Sequence, residues 1–151
     1  MKSKLTSKMA TYLITGTAKG VGLELTKQLS ELPGSQVAKI FAITRSPPTP
    51  ALSDLISRNN GRVVNVLASV DDTKSVEKAA EEIKGQLGSK GLDVLINNAA
   101  IQQHSPNNKM EDFSPADFSR ILETNLVGPH RMVTAFLPLL RAGTQKKIIN
   151  M

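Results

Sequence analysis

Residues 10–31 read ATYLITGTAKGVGLELTKQLSE, and the fold follows from how this stretch divides. Residues 10–14 are a short apolar run that stops at a glycine-rich turn. Past the turn, Val21, Leu25 and Leu29 recur every four residues, which predicts a helix over 21–32 ended by Leu32-Pro33-Gly34. Between strand and helix lie Gly16, Gly20 and Gly22. Glycine lets a backbone turn tightly and approach a phosphate closely. The new helix points its unpaired N–H groups and positive dipole end at the same place. The spacing is not G-x-G-x-x-G, and no Gly-Lys-Ser/Thr follows four residues after Gly16 to make a Walker A loop. Taken alone, three glycines in a turn are as readily structural. Their place directly after the first strand favours a nucleotide.

Outward from this stretch, strand and helix patterns alternate. Residues 37–43 (VAKIFAI) read as a second buried strand, closed by Pro47-Pro48 and Pro50. A short helix over 51–58 and a third strand over 62–67 (RVVNVL) follow. Asp71 or Asp72 can cap the next helix, whose apolar stripe is Val76, Ala79, Ala80, Ile83 and Leu87. Residues 92–96 (LDVLI) make a fourth strand. Ser114-Pro115-Ala116-Asp117 starts a long helix over 115–141, interrupted at Gly128-Pro129. Residues 147–149 read as a fifth strand. Strands alternating with helices imply parallel pairing through crossovers, and strands apolar on both faces imply burial. The expected fold is α/β: a doubly wound, Rossmann-like parallel sheet of five strands.

Composition agrees and excludes several classes. At 151 residues, 40% hydrophobic and 21% charged, the chain has the size and balance of one globular domain. The division expected is a basic tail over 1–9 and one domain over 10–151. There is no cysteine, so disulfides, thiolate metal sites and cysteine nucleophiles are excluded. The two histidines, His104 and His130, lie far apart in sequence, which argues against a histidine metal site. No apolar stretch approaches a membrane span, and the N-terminus lacks the apolar region of a signal peptide. A cytoplasmic protein without membrane or nucleic-acid partners is expected. Half of the net charge of +6 comes from Lys2, Lys4 and Lys8, and five aromatics offer little for base stacking.

The second strand ends Thr44-Arg45, 23 residues past Gly22, where a dinucleotide fold usually places an acid on the adenosine ribose. A guanidinium suits a 2′-phosphate instead. Lys19 in the glycine turn can join it. The pair points to NADP (NADPH) rather than NAD; two solvated surface cations are the alternative.

Three motifs now stand in order: TGTAKGVG after strand one, Asn97-Asn98-Ala99-Ala100 after strand four, and Glu123-Thr124-Asn125-Leu126-Val127-Gly128 in the long helix. Together they resemble the short-chain dehydrogenase/reductases, over residues 10–151. The resemblance implies a cofactor site built from Gly16, Thr17, Lys19, Gly20, Val21 and Gly22, then Arg45, then Ser69 and Val70, then Asn98 and Ala99. It implies that Asn125 is an active-site residue holding a water-linked proton relay at a helix kink. An asparagine that merely caps the kink is the alternative. The reaction implied is hydride transfer between NADP(H) and a small-molecule carbonyl or alcohol.

The chain departs from the family pattern in three places. Ala100 stands where the Asn motif has glycine. Ser69 stands where the family often has an aspartate for the adenine amine. The family also has seven strands, with a serine after strand five and a Tyr-x-x-x-Lys pair on the next helix; here the sequence stops at Met151, and its only tyrosine is Tyr12. Catalysis is therefore expected to be lost, and the family's dimer interface compromised. The alternative function is a silent shortened relative that binds nucleotide or serves as an interaction module. His104 falls where the family lines its substrate cleft, though a solvated loop histidine is the plainer reading. Asp93 is expected to be a strand-edge acid, and His130 a surface residue.

Overall fold

The computed structural model describes residues 9–102 and 109–151. Five strands form one parallel sheet: β1 (Ala10–Thr15), β2 (Val37–Thr44), β3 (Val63–Leu67), β4 (Val94–Asn97) and β5 (Lys147–Asn150). Their spatial order is β3-β2-β1-β4-β5. The helices are α1 (Gly20–Glu31), α2 (Pro50–Arg58), α3 (Thr73–Leu87), α4 (Pro115–Leu122) and α5 (Gly128–Ala142). The expected doubly wound α/β fold is the fold observed.

Alternation along the inner strands feeds two cores. Leu13, Phe41, Ile43 and Leu95 face Val76, Ala79 and Ile83 of α3 and Met132, Phe136 and Leu140 of α5. Ile14, Ile40, Ala42 and Ile96 turn the other way, toward Leu52 of α2 and the leucines of α1. The two helices before β3 thus cover one face and the later ones cover the other, as crossovers of one hand require.

Three details differ from the sequence reading. Of the stripe Val21, Leu25, Leu29, the two leucines pack half-buried against the core but Val21 is 57% exposed, and the fully buried residues of α1 are Gly22, Thr26 and Ser30. Small residues on that face let the helix lie close against the sheet. Gly128-Pro129 does not interrupt the long helix; α4 passes into α5 through a π-turn over Glu123–Val127. Strand four begins two residues later than expected, at Val94. All residues of β5 are exposed, in agreement with an apolar strand expected to form an open sheet edge, so burial stops at β4. Of the two candidate caps for α3, Asp72 performs the task, accepting a hydrogen bond from Ser75 N.

Asp93 is no edge acid. Its carboxylate is buried and accepts hydrogen bonds from Thr11 N at 2.8 Å, Thr144 N at 2.7 Å and Gln145 N at 3.1 Å, besides two threonine hydroxyls. It pins the beginnings of β1 and β4 to the turn before β5. Burial alone would raise its pKa, but the bonds from Thr11, Thr144 and Gln145 outweigh it and leave the pKa lowered.

Candidate nucleotide site

The chain order reverses direction between β1 and β4, and a cavity of about 400 Å³ opens at the carboxyl ends of those strands. Such a switch point is where open α/β sheets bind ligands. A second cavity, of about 450 Å³, lies at the opposite ends of the strands around Thr11, Gly91 and Asp93. The reversal of strand order lies at the first.

The glycine turn forms one end of this cavity. Gly16 and Gly20 have φ of +72° and +60°, a backbone that L side chains rarely adopt. Gly22 has the other need, for close approach: a Cβ there would lie 2.3 Å from the Gly16 carbonyl oxygen and 2.5 Å from Asn98 Nδ2. A Cβ at Gly20 would instead meet nothing within 4 Å. The turn is fastened from both sides. Asn98 Nδ2 donates to the carbonyls of Thr15 (2.8 Å) and Gly16 (3.2 Å). The Thr15 hydroxyl accepts from Asn98 N and Ala99 N at 3.0 and 2.9 Å. Thr49, which caps α2, also donates its hydroxyl to the Ala18 carbonyl. Thr15 and Thr49 carried no signal in the sequence, because their partners are distant along the chain.

α1 begins at this turn with no side-chain cap and no acid in its first turn. The helices α2, α3 and α4 are each capped, by Thr49, Asp72 and Ser114. The uncapped N–H groups and the dipole of α1 therefore suit an anion. Lys19, Gly20 and Val21 line the cavity beside them. Arg45 lines it from the end of β2, and neither cation has a hydrogen bond or ion pair among the described residues.

Ser69, Val70, Asn98 and Ala99 also line the cavity, whereas Thr17 and Gly22 do not. Thr17 is fully buried, and its N–H and hydroxyl both donate to the Ile43 carbonyl. In this structure it anchors the turn from outside the cavity wall. Gly22 acts from behind the turn in the same way. Asn125 lies outside the cavity wall: its Oδ1 accepts from Ile101 N and its Nδ2 donates to the Ile101 carbonyl, both at 2.9 Å. The side chain is thus a clamp on the loop after β4, and Ile101 lines the cavity. The residue that an α-helix would pair with the Asn125 carbonyl is Pro129, which has no N–H.

Asp71, Ile101 and the buried Thr124 were missed as lining residues. His104 lies outside the described residues, as does most of the basic tail. His130 is exposed on α5. Among the described residues, no group of three or more His, Cys, Asp or Glu could hold a metal ion, and no helix is long and apolar enough to cross a membrane. The open space over Gly20, the uncapped α1 and the cations at the rim suit the phosphate groups of a nucleotide.

A family model described as short chain dehydrogenase matches residues 10–151. The short-chain dehydrogenase/reductase AacuF of Aspergillus aculeatus is 39% identical over 147 residues, covering 94% of this chain and 53% of the relative. A second one, atnB of an Arthrinium species, is 35% identical and is covered to 54%. The chain therefore spans about half the length of the curated relatives it matches. Among solved structures, an NADPH-bound carbonyl reductase from chicken fatty liver superposes with a TM-score of 0.81 at 30% identity, covering 89% of this chain and 49% of that one. Carbonyl reductase Sniffer of D. melanogaster superposes with a TM-score of 0.84 at 29% identity, covering 95% and 61%.

Proposed function

The chain belongs to the short-chain dehydrogenase/reductase family, and on that premise we propose that it is the NADP-binding part of an oxidoreductase acting on small carbonyl or alcohol substrates. The observation that carries the cofactor reading is the pairing of Lys19 and Arg45 on one cavity with an uncapped helix N-terminus. Bound there, NADPH supplies a hydride to a carbonyl carbon, and NADP⁺ accepts one from an alcohol.

The chain's own residues act on the cofactor rather than on the proton. The first N–H groups of α1 hold the diphosphate, and Gly20 leaves it room. The Arg45 guanidinium and the Lys19 ammonium hold the 2′-phosphate, where a ribose-binding acid would repel it. Asn98 keeps the turn in shape, and Asn125 keeps Ile101 in place. The new oxyanion must be protonated where it forms. The sole tyrosine, Tyr12, lies within β1, and burial followed by the Asp93 charge raises its pKa. It is assigned no proton transfer.

Titration of the purified chain with NADPH and NADH, followed by nucleotide fluorescence, tests this. NADPH is expected to bind saturably and at least about tenfold more tightly than NADH. Arg45→Ala and Lys19→Ala should each narrow the gap. Equal affinity for both nucleotides in the unsubstituted chain would remove the NADP assignment.

A further inference from the structure

Asp71 is the only carboxylate on the nucleotide cavity, among the described residues that line it. It also lines an adjoining cavity of about 370 Å³ with Arg45, Ile101, Gln102, Arg120 and Thr124. A carboxylate repels phosphates and accepts from N–H and O–H donors, so this end of the cavity suits a group that carries a donor. The walls beside it, Val70, Ala99 and Ile101, are apolar and suit the faces of a flat heteroaromatic ring.

The loop that carries Asp71 is held at three points. The Ser69 N–H donates to the Ser75 hydroxyl at 3.0 Å. The Ser69 carbonyl accepts from Asp72 N at 3.1 Å. The Val70 carbonyl accepts from Arg131 Nη1 at 2.6 Å, while the same guanidinium binds Thr73 and Glu123. The Ser69 hydroxyl donates to Asp71 Oδ1. That proton is therefore committed, and Asp71 Oδ2 accepts no hydrogen bond among the described residues. The neighbouring acid has a different task, since Asp72 caps α3. Arg45 shares both cavities with Asp71 and Arg120 shares the second, yet no ion pair joins Asp71 to either among the described residues. The guanidinium is left for a phosphate and the carboxylate for a donor.

We infer that Asp71, seated by the Ser69 hydroxyl, is the acceptor for the 6-amino group of the adenine base. This rests on the NADP reading above. It moves base recognition two residues along the loop, from the position where the sequence has serine to one where it has an acid. Arg131 is a positioning residue for the same loop. If Arg45 holds the 2′-phosphate, the adenosine half lies along the β2 and β3 ends, and the base is the donor-bearing group that reaches past them to the loop after β3.

The test compares NADPH with its hypoxanthine analogue, in which a carbonyl oxygen replaces the 6-amino group, by fluorescence titration. The unsubstituted chain should prefer NADPH by at least about tenfold, the effect of one hydrogen bond to a charged group. Asp71→Asn should reduce that preference to about twofold or less, because an amide can turn its NH₂ toward the analogue's oxygen. Asp71 is exposed, so this variant should fold; Asp72→Asn, which weakens only the helix cap, should keep the preference. Three results would overturn the inference. Asp71→Asn could retain the full preference. Ser69→Ala could abolish it while Asp71→Asn does not, which makes Ser69 the acceptor. Asp71→Asn could weaken both nucleotides equally, which places the carboxylate on the ribose. Failure of the underlying reading looks different: a folded, unsubstituted chain would then bind neither nucleotide.

Discussion

Gly22 has no room for a side chain. A methyl group there would overlap the Gly16 carbonyl at 2.3 Å and the Asn98 amide at 2.5 Å, both parts of the cradle itself. Gly22→Ala must move backbone, so it should cost about 1–3 kcal/mol and weaken NADPH binding as well. Urea unfolding and nucleotide titration of the same variant check both effects. Asp93 gives a second residue-scale prediction. Its folded pKa is lowered, burial being outweighed by hydrogen bonds from Thr11, Thr144 and Gln145. A depressed carboxylate stabilises the fold fully above its unfolded value, about 3.9, and that stabilisation is lost as pH falls through the lower folded value. The urea midpoint should therefore fall steeply below about pH 4. Asp93→Asn should be less stable by roughly 3 kcal/mol at neutral pH, and its acid limb should be shallower. Equal slopes for the two proteins would show that other carboxylates carry the acid transition.

The π-turn over Glu123–Val127 is the element that the sequence indicates but does not describe. Gly128-Pro129 is visible in the sequence as a disturbance of a long helix. The structure keeps the helix and absorbs the proline by letting Gly128 N bond the Glu123 carbonyl, five residues back. What that does for Asn125 depends on Ile101, which is 24 residues away, so no local pattern could reveal it. The same limit hid the true inner face of α1. Leucine spacing is a good guide to where apolar surface lies, and Leu25 and Leu29 do pack on the core. The face closest to the sheet is Gly22, Thr26 and Ser30, because closeness there is set by the approach of the turn to Asn98. Pro129→Ala restores an N–H that can bond the Asn125 carbonyl four residues back. The turn should then tend toward regular α-helix and draw Asn125 away from Ile101. Hydrogen exchange at the Ile101 amide should speed up by about tenfold, which corresponds to losing roughly one hydrogen bond. Unchanged exchange would mean that the loop after β4, rather than Pro129, sets the π-turn.

At the scale of the whole molecule, the alternation of strands and helices was enough to establish the sheet, since each inner strand is apolar on both faces and each crossover is helical. β5 obeys the same pattern yet is not buried: Ile148 and Ile149 are 41% and 43% exposed. Among the described residues its one hydrogen-bonded neighbour is β4, and no strand pairs with its other edge. The helix α4 also shows apolar surface, with Phe118 at 42% and Leu122 at 40% exposure and no buried residue. The two surfaces differ in kind. A helix has its interior hydrogen bonds made within itself, so covering α4 removes only apolar area from water. Covering the β5 edge also pairs N–H and C=O groups in a register that a second β5 can match. The isolated chain should therefore self-associate through β5 as its concentration rises. Sedimentation velocity across a concentration series should show the shift, and Ile148→Lys with Ile149→Lys should hold the chain as a monomer, because strand-edge lysines repel one another across such a pairing. Circular dichroism must show an unchanged helix content for that comparison to count. If Phe118→Ser with Leu122→Ser abolishes association while the β5 substitutions leave it intact, the contact runs through the helix face and the strand edge is silent.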